Sequence, residues 1–332
     1  MKIKAAFFCD NEATLRGVYG KGRFETVAAR TDLYPVIIST VTFDQHVEAL
    51  ADVEVIFSTW HMPRLTVEQV ARMPRLKALF YGAGSVRELA EPFLDRDIIV
   101  TSSWGANAIP VAEFVLAQII LSCKGSYRNV REYTGPASYG TAFRGRGLYG
   151  ETVALIGAGM IGRRLIELLK PFKLKVTVVD PFLSDAEAQR IGVTRVSLDE
   201  AFRQAYVISN HLPNLPELRG MLTRAHFESM RPDATFINTG RGAQVDEAGL
   251  VAVLQARPDL TALLDVTDPA EPPPADSPLF KLPNIHLTTH LAGSVNDEVV
   301  RMADYAIEEF QRWQAGEPLL YRVTREMLVR MA

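Results

Sequence analysis

The stretch that decides the fold reads VALIGAGMIGRR and spans Val153–Arg164. It begins as an apolar, β-branched run, passes through a G-x-G-x-x-G turn and continues at helical spacing. The glycines of such a turn allow a tight bend, close approach of the backbone to a pyrophosphate, and close packing of helix against strand. The helix N-terminus then offers free N–H groups to the phosphates. The pattern predicts that a dinucleotide binds at Gly157, Gly159, Met160, Ile161 and Gly162.

A second apolar run, Val176–Val179, follows this helix and ends at Asp180. Asp180 lies 23 residues after Gly157, about where an acid accepts a hydrogen bond from a ribose 2′-hydroxyl. A carboxylate there repels the 2′-phosphate of NADP, and residues 181–184 supply no arginine to receive one. The sequence therefore predicts NAD as the cofactor.

The composition indicates a globular protein with no general affinity for nucleic acid or membranes. The chain of 332 residues has room for two domains. Its hydrophobic fraction of 48% is ordinary for a soluble protein, and its net charge of −3 attracts neither nucleic acid nor anionic membranes. Cys9 and Cys123 have apolar neighbours, so we expect buried thiols in a reducing, cytoplasmic compartment. The first ten residues hold too short an apolar run for a signal peptide or membrane span.

Residues 1–102 alternate short apolar runs with amphipathic stretches, which is typical of a parallel α/β domain. The predicted strands are Ile3–Phe8, Val36–Ser39, Val53–Ser58, Ala78–Tyr81 and Ile98–Thr101. A helix is predicted over Thr66–Met73, with Thr66 as its N-cap. A final helix over Val295–Trp313 is long enough to return to this domain. We therefore predict a discontinuous substrate-binding domain of residues 1–102 and 293–332.

Residues 103–292 form the predicted dinucleotide-binding domain, where strands and helices alternate again after Asp180. Further strands are predicted at Tyr206–His211, Ala234–Asn238, Ala262–Val266 and Ile285–Thr288, and helices at Arg224–Met230 and Asp246–Gln255. A long helix over Asn107–Cys123 is predicted to hold Pro110 in its first turn. The predicted fold class is α/β, with two Rossmann-like or flavodoxin-like doubly wound parallel-sheet domains and an intervening cleft.

The segment 124–150 differs in composition from its surroundings, being rich in glycine, arginine and tyrosine. One interpretation is an arm that contacts a second subunit. The other is a plain surface excursion, and the residues alone favour neither.

Tyr81 ends a predicted strand and runs into Gly82-Ala83-Gly84. Ligands of open α/β sheets lie beyond the carboxyl ends of the strands. Consecutive N–H groups in such a turn can bind an anion such as a substrate carboxylate. A glycine turn needed only for chain reversal explains the same residues equally well.

Three further segments carry polar groups at strand ends. Arg241 stands between two glycines, and its planar guanidinium suits bidentate carboxylate binding; a structural ion pair is the alternative. The proline-rich segment 264–274 holds three acids, and a solvated loop is its alternative. His290 follows an apolar strand, and its ordinary pKa of about 6.5 suits proton transfer; a structural histidine is the alternative. The other histidines show no paired metal-ligand spacing, so no metal site is predicted.

At these residues the sequence resembles the NAD-dependent D-2-hydroxyacid dehydrogenases. The resemblance covers nearly the whole chain and rests on several motifs in one order. They are Gly82–Gly84, Gly105-Ala106-Asn107 with Val111-Ala112-Glu113, Gly157–Gly162 with Asp180, His211-Leu212-Pro213, Asn238–Gly242, Val245-Asp246-Glu247, Leu264-Asp265-Val266, and His290 with Gly293.

The resemblance implies a role for each matching residue. Arg241 would bind and polarise a 2-oxo acid, His290 would protonate its carbonyl oxygen, and Glu271 would pair with the histidine. Backbone amides of Ala83 and Gly84 would bind the substrate carboxylate, and Asp265 would contact the nicotinamide carboxamide. The remaining cofactor contacts would come from His211, Leu212, Pro213, Thr239, Gly240, His290 and Gly293. The resemblance also implies a homodimer formed through the NAD-binding domains, with segment 124–150 as an arm.

The chain departs from the family pattern in the acid that pairs with the histidine. That acid usually stands five residues after the aspartate of the Leu-Asp-Val motif, where this chain has Ala270. Glu271 is one residue further on and keeps the Glu-Pro pair, so we favour it over its rival, Asp268. A second departure is Thr289, where the family commonly has proline.

The predicted activity is hydride transfer between NAD(H) and a 2-oxo acid or D-2-hydroxy acid. The alternative is a non-catalytic NAD(H)-sensing regulator of the same fold, as the C-terminal-binding corepressors resemble. Tyr81, with Trp60, His61 and Trp104, could shape a pocket for the substrate side chain or pack inside the first domain. The sequence does not name the substrate.

Overall fold

The computed structural model describes residues 2–328, which divide into two units. The first unit comprises the residues up to Asn107 and those from Ser294 onward, and the second comprises Ala108–Gly293. The boundaries were predicted after residues 102 and 292, which is five residues and one residue earlier. Met1 and residues 329–332, which the predicted first domain includes, lie outside the described residues.

Each unit contains one sheet in which neighbouring strands run parallel. The first sheet has the order β2-β1-β3-β4-β5 and the second the order β12-β11-β10-β9-β6-β7-β8. The strands are β1 (Ile3–Phe8), β2 (Thr31–Leu33), β3 (Val55–Ser58), β4 (Ala78–Tyr81), β5 (Ile99–Ser102), β6 (Thr152–Ile156), β7 (Lys175–Val179), β8 (Thr194–Arg195), β9 (Val207–Asn210), β10 (Thr235–Asn238), β11 (Thr261–Leu264) and β12 (Ile285–Leu287). The predicted α/β class with two parallel-sheet domains is confirmed.

Among residues 2–328, most α-helices lie between consecutive strands, as is usual for parallel pairing, and the final two follow the last strand. They are α1 (Glu12–Val18), α2 (Arg23–Arg30), α3 (Phe43–Leu50), α4 (Val67–Ala71), α5 (Glu91–Leu94), α6 (Trp104–Lys124), α7 (Ser126–Glu132), α8 (Met160–Leu169), α9 (Asp185–Ile191), α10 (Leu198–Gln204), α11 (Arg224–Glu228), α12 (Glu247–Ala256), α13 (Val300–Ala315) and α14 (Arg325–Leu328). Thr66 caps α4 as predicted, because its side chain accepts a hydrogen bond from the Gln69 amide.

One predicted strand is wrong. Val36–Ser39 forms only a single bridge, between Ile38 and Phe8, and the second strand lies earlier, at Thr31–Leu33. Pro35 has no N–H to give to a ladder, and the chain bends at this point. Strand β2 was not predicted because two of its three residues are polar.

Two predicted helices begin in the wrong place. α6 begins at Trp104, so Pro110 lies in its second turn rather than its first. The helix tolerates this proline because its apolar side chains, including Val115 and Ile119, are buried in the core of the second unit. The final helix begins at Val300, because a 3₁₀ turn with a left-handed Asn296 (φ 47°) precedes it.

α6 is also long and apolar enough to span a bilayer by length and composition alone. More than half of its apolar window is buried inside the protein, which is the behaviour of a core helix.

Helix α13 completes the core of the first unit although it lies near the other end of the sequence. Phe310 packs edge-on against Phe57 of β3 and Phe80 of β4, with ring centroids 5.1 and 5.4 Å apart. Arg23 of α2 forms a two-bond ion pair with Asp304 of α13 at 2.7 and 2.8 Å. The first unit is therefore held together by contacts between distant parts of the chain.

The second sheet is covered on both faces. Val153 and Leu155 of β6 face the cluster that includes α6, whereas Ala154 and Ile156 face the opposite cluster. This alternation follows from the two-residue period of a strand. The strand order reverses at β6, whose neighbours are β7 on one side and β9 on the other. Such a reversal is where ligands bind in doubly wound sheets.

Candidate active site

The glycine turn after β6 has the shape that a dinucleotide needs. Gly157 has a φ of 101°, and a Cβ at Gly162 would lie 2.2 Å from the Gly157 carbonyl oxygen. Both positions therefore require glycine. A Cβ at Gly159, the N-cap of α8, would meet nothing within 4 Å. The turn is thus closely packed on one side and open at the helix N-terminus, which fits a bound pyrophosphate.

Asp180 is fixed beside this turn by two backbone amides. Its Oδ2 accepts a hydrogen bond from the Ala158 amide at 2.7 Å, and its Oδ1 accepts one from the Phe182 amide at 2.8 Å. The nearby Arg163 donates to the Ala158 carbonyl and pairs with Glu187 at 2.6 Å. That arginine is therefore already engaged, and the acid lies where the sequence pattern places the ribose contact.

The loop after β9 lies against the same turn. A Cβ at Gly157 would be 3.2 Å from the His211 carbonyl oxygen. Burial lowers the pKa of His211 to about 4, so the imidazole is neutral at physiological pH. Its Nδ1 lies 3.2 Å from the Thr239 hydroxyl, whereas its buried Nε2 has no hydrogen-bond partner within residues 2–328. The structure thus brings together His211, Thr239 and the glycine turn.

Arg241 follows β10 in a tight turn. Its guanidinium is partly buried and donates to the Gly240 carbonyl oxygen at 2.7 Å. Burial lowers the pKa of Arg241, and the negative charge of Glu271 acts against this. A Cβ at Gly242 would lie 2.1 Å from the Thr267 carbonyl carbon. Only glycine at this position lets the loop after β11 pack so closely on the arginine turn.

The loop after β11 brings an acid to His290. Glu271 Oε1 lies 2.5 Å from His290 Nδ1, and both side chains are partly exposed. The rival acid, Asp268, instead pairs with Arg219 at 2.8 Å. The arrangement leaves Nε2 as the nitrogen of His290 that can face a substrate.

Asp265 holds the backbone around His290. Its buried carboxylate accepts hydrogen bonds from the Leu291 and Ala292 amides at 2.8 and 3.0 Å, and from the Thr288 hydroxyl at 2.5 Å. His290 itself has a φ of 56°, a left-handed conformation that is costly for a residue with a side chain. The carboxylate therefore stabilises the turn that presents the histidine. From the sequence, only a cofactor contact was predicted for Asp265, because a sequence does not show which backbone amides a carboxylate binds.

The other predicted substrate residues lie in the first unit, at the end of β4 and in the turn that follows it. Tyr81 is buried, the Thr59 hydroxyl donates to the Gly82 carbonyl oxygen at 2.7 Å, and the Ser102 hydroxyl donates to the Ala83 carbonyl oxygen at 3.0 Å. Among residues 2–328, no acceptor meets the amides of Ala83 and Gly84. These two N–H groups are therefore available to an anion.

Comparison with known proteins identifies the family. Residues 118–292 match the model of the D-isomer specific 2-hydroxyacid dehydrogenase NAD-binding domain. A D-3-phosphoglycerate dehydrogenase of Archaeoglobus fulgidus is 31% identical over 224 residues, covering 68% of this chain and 42% of that protein. The putative 2-hydroxyacid dehydrogenase YoaD of Bacillus subtilis is 32% identical over 225 residues, covering 65% of this chain and 64% of that protein.

Among solved structures, the apo form of Rhodotorula graminis D-mandelate dehydrogenase has the same fold. Its TM-score is 0.80 at 20% identity, with 98% of each chain covered. The chain spans about half the length of the phosphoglycerate dehydrogenases it matches. With the family model covering more than half of its residues, this chain belongs to the D-isomer specific 2-hydroxyacid dehydrogenases and carries their NAD-binding domain.

Proposed function

We propose that this protein interconverts a 2-oxo acid and the corresponding D-2-hydroxy acid with NAD(H). The observation that carries the proposal is the 2.5 Å contact between Glu271 Oε1 and His290 Nδ1. A carboxylate on one ring nitrogen fixes the histidine tautomer and leaves the other nitrogen to exchange a proton with a substrate, as an acid–base catalyst requires. Arg241 lies in the same unit, within electrostatic reach of Glu271.

In this proposal Arg241 binds the 2-oxo acid and polarises its carbonyl group. Its guanidinium is partly removed from water, so its attraction for a carboxylate exceeds that of an exposed arginine. The amides of Ala83 and Gly84 are further proposed contacts for the substrate carboxylate. Tyr81 is a proposed substrate contact as well.

His290 is the proposed acid in the reduction and the base in the oxidation. With Nδ1–H donating to Glu271, Nε2–H of the imidazolium can donate its proton to the carbonyl oxygen of the substrate. In the opposite direction the neutral Nε2 accepts the hydroxyl proton. Bound NADH supplies the hydride for the reduction.

The cofactor is proposed to lie along the loops that follow the strands of the second sheet. Gly157, Gly159 and Gly162, with Met160 and Ile161, would hold the pyrophosphate, and Asp180 would accept a ribose hydroxyl. The contacts proposed for the rest of the cofactor are His211, Leu212, Pro213, Thr239, Gly240, Asp265, His290 and Gly293.

The segment 124–150 supports a homodimer formed through the second unit. It contains α7, and Val130, Tyr139 and Tyr149 on it have side chains exposed by 74%, 69% and 89%. Apolar surface of this extent favours contact with another protein surface. We propose a cytoplasmic homodimer. Light scattering on the protein as it elutes from a size-exclusion column measures the mass of the assembly directly.

The proposal is tested by following NADH absorbance with glyoxylate, hydroxypyruvate, pyruvate and phenylpyruvate at neutral pH. D-3-phosphoglycerate and D-mandelate with NAD⁺ test the reverse direction. We expect turnover with one clear favourite, and less turnover with NADPH because of Asp180. No turnover with any of these acids, together with measurable NADH binding, would contradict the proposal.

Arg241→Ala is expected to lower kcat/KM about a hundredfold or more, because it removes the group that polarises the carbonyl. Arg257→Ala is the matched control. Arg257 is also a partly buried arginine of the second unit, but it pairs with Asp259 at 2.7 Å. Equal losses in the two variants would show that Arg241 has only a structural effect.

A further inference from the structure

Three buried amide side chains join the loops that follow β9 and β10. Asn210 ends β9, Asn238 ends β10, and Gln244 lies in the turn after Arg241. Their exposed fractions are 0%, 1% and 1%. Buried amides are costly unless their hydrogen bonds are satisfied, so their partners show what they hold in place.

Gln244 uses its full hydrogen-bonding capacity. Its Oε1 accepts from Asn210 Nδ2 at 2.8 Å and from the Arg241 amide at 3.0 Å. Its Nε2 donates to the carbonyl oxygens of Pro213 and Leu212 at 2.7 and 3.4 Å. Two donors and two acceptor positions are the whole inventory of a primary amide. The side chain therefore has one orientation, and its two ends hold different loops.

The two asparagines close the network. Asn210 Nδ2 donates to Asn238 Oδ1 at 2.9 Å, and Asn238 Nδ2 donates to the Arg241 carbonyl oxygen at 3.0 Å. Both backbone groups of Arg241 are thus held by buried amides. A Cβ at Gly240 would lie 2.8 Å from Asn210 Nδ2 and 3.0 Å from Gln244 Oε1, so the glycine makes room for the network.

We propose that Gln244 is a positioning residue that ties Arg241 to the loop of Leu212 and Pro213. The inference rests on the proposed function, in which Arg241 binds the substrate and that loop binds the cofactor. A satisfied buried network has one low-energy arrangement. Small displacements of a substrate-binding group cost large factors in rate. Gln244 therefore keeps the substrate contact and the cofactor contact in register with each other.

The test compares Gln244→Met with Asn284→Leu. Methionine has a similar length but none of the four hydrogen bonds. Asn284 is a matched control, because it is a buried amide of the same unit that donates to the Leu254 carbonyl oxygen at 3.0 Å and the Leu260 carbonyl oxygen at 3.1 Å. Both variants lose buried hydrogen bonds, so both are expected to lower Tm by several degrees.

Only Gln244→Met is expected to change the function of the folded protein. It should lower kcat/KM for the 2-oxo acid by about 10- to 100-fold, mainly through KM, and weaken NADH binding measured by fluorescence. Asn284→Leu should leave both values within about twofold of the wild type. Asn210→Leu removes the bond to Gln244 Oε1 and should act in the same direction as Gln244→Met.

Unchanged KM and NADH affinity in Gln244→Met, with a lowered Tm, would overturn the inference and leave Gln244 a structural residue. Equal functional losses in Asn284→Leu would overturn it too. Failure of the proposed function is distinguishable, because the wild type would then oxidise NADH with no 2-oxo acid. In that event NADH binding by the Gln244→Met and Asn284→Leu proteins still tests the link to the cofactor loop.

Discussion

The two units each contain a Gly-Ala-Gly turn at the end of a parallel strand, and the two turns use their backbone polar groups in different ways. After β4, hydroxyl groups of Thr59 and Ser102 bind the carbonyl oxygens of Gly82 and Ala83. Ser102 also donates to the Gly84 carbonyl oxygen. The carbonyl groups face hydroxyl donors, whereas the amides of Ala83 and Gly84 meet no acceptor among the described residues.

After β6 the turn is held by charged groups instead. The Asp180 carboxylate accepts from the Ala158 amide, and Arg163 donates to the Ala158 carbonyl oxygen. Both backbone polar groups of Ala158 are therefore used, and the open position is Gly159 at the N-terminus of α8. The same tripeptide is thus held in two different ways, and the neighbouring side chains decide which of its backbone groups stay free.

The largest expected difference between the two turns is in how they respond to low pH. His211 lies against the β6 turn, and its pKa is about 4 in the folded protein against about 6.5 when unfolded. The unfolded chain binds the proton more readily, so stability falls as the pH drops from about 6.5 to about 4, by about 3 kcal/mol at most. The β4 turn contacts Ser58 and Tyr19, and burial raises the pKa of that tyrosine, so neither group titrates in this range.

Urea unfolding at a series of pH values measures this loss. His211→Asn, which cannot titrate there, should flatten the profile between pH 4 and 6.5. A wild-type profile identical to that of the variant would show that His211 has an ordinary pKa. Hydrogen exchange read by mass spectrometry should show the acid-induced opening in peptides of the β6 turn rather than the β4 turn.

Within the β6 turn, replacement of each of two glycines by alanine should change the stability of the protein by different amounts. Gly162→Ala is expected to lower the free energy of unfolding by about 1–3 kcal/mol, because the Cβ would lie 2.2 Å from a carbonyl oxygen. Gly159→Ala meets no protein atom within 4 Å and should change stability by less than about 0.5 kcal/mol. Denaturant unfolding of the two variants checks this, and equal stabilities would contradict the close packing around Gly162.

The smallest expected effect is in the β4 turn. Ser102→Ala removes the hydroxyl donor from two carbonyl groups and should weaken substrate binding by about 1 kcal/mol, seen as a higher KM, without changing the affinity for NADH. Ser209→Ala is the control, since that buried hydroxyl has no partner among the described residues. A rise in KM shared by both variants would argue against a specific role for Ser102.

Much of the fold was predictable because its strongest signals are local. Apolar runs in the sequence predicted most strands of both sheets, and the spacing of the glycines predicted the turn after β6. Strand β2 was missed because Thr31 and Asp32 are polar, and its place is decided by pairing with β1. The start of α6 was misplaced because burial of the helix outweighs the missing hydrogen bond at Pro110.

The candidate site was predictable where the order of the motifs resembles that of the family. Glu271 was favoured over Asp268 from a retained Glu-Pro pair, and the structure places Glu271 against His290. The backbone contacts of Asp265 and the bonds of Gln244 were beyond the sequence. Both depend on which amides the folded loops bring together, and the spacing of residues in the sequence does not predict these contacts.

The return of α13 to the first unit has a consequence for synthesis. Arg23 and Asp304 are 281 residues apart in sequence, so the ribosome must release α13 before this pair can form. Phe57 and Phe80 lack their partner Phe310 until the same moment. Residues 108–293 are complete earlier, and we expect them to fold first. The strands of the first sheet are made early, but their aromatic side chains stay uncovered until α13 emerges, which favours association of the nascent chain with chaperones.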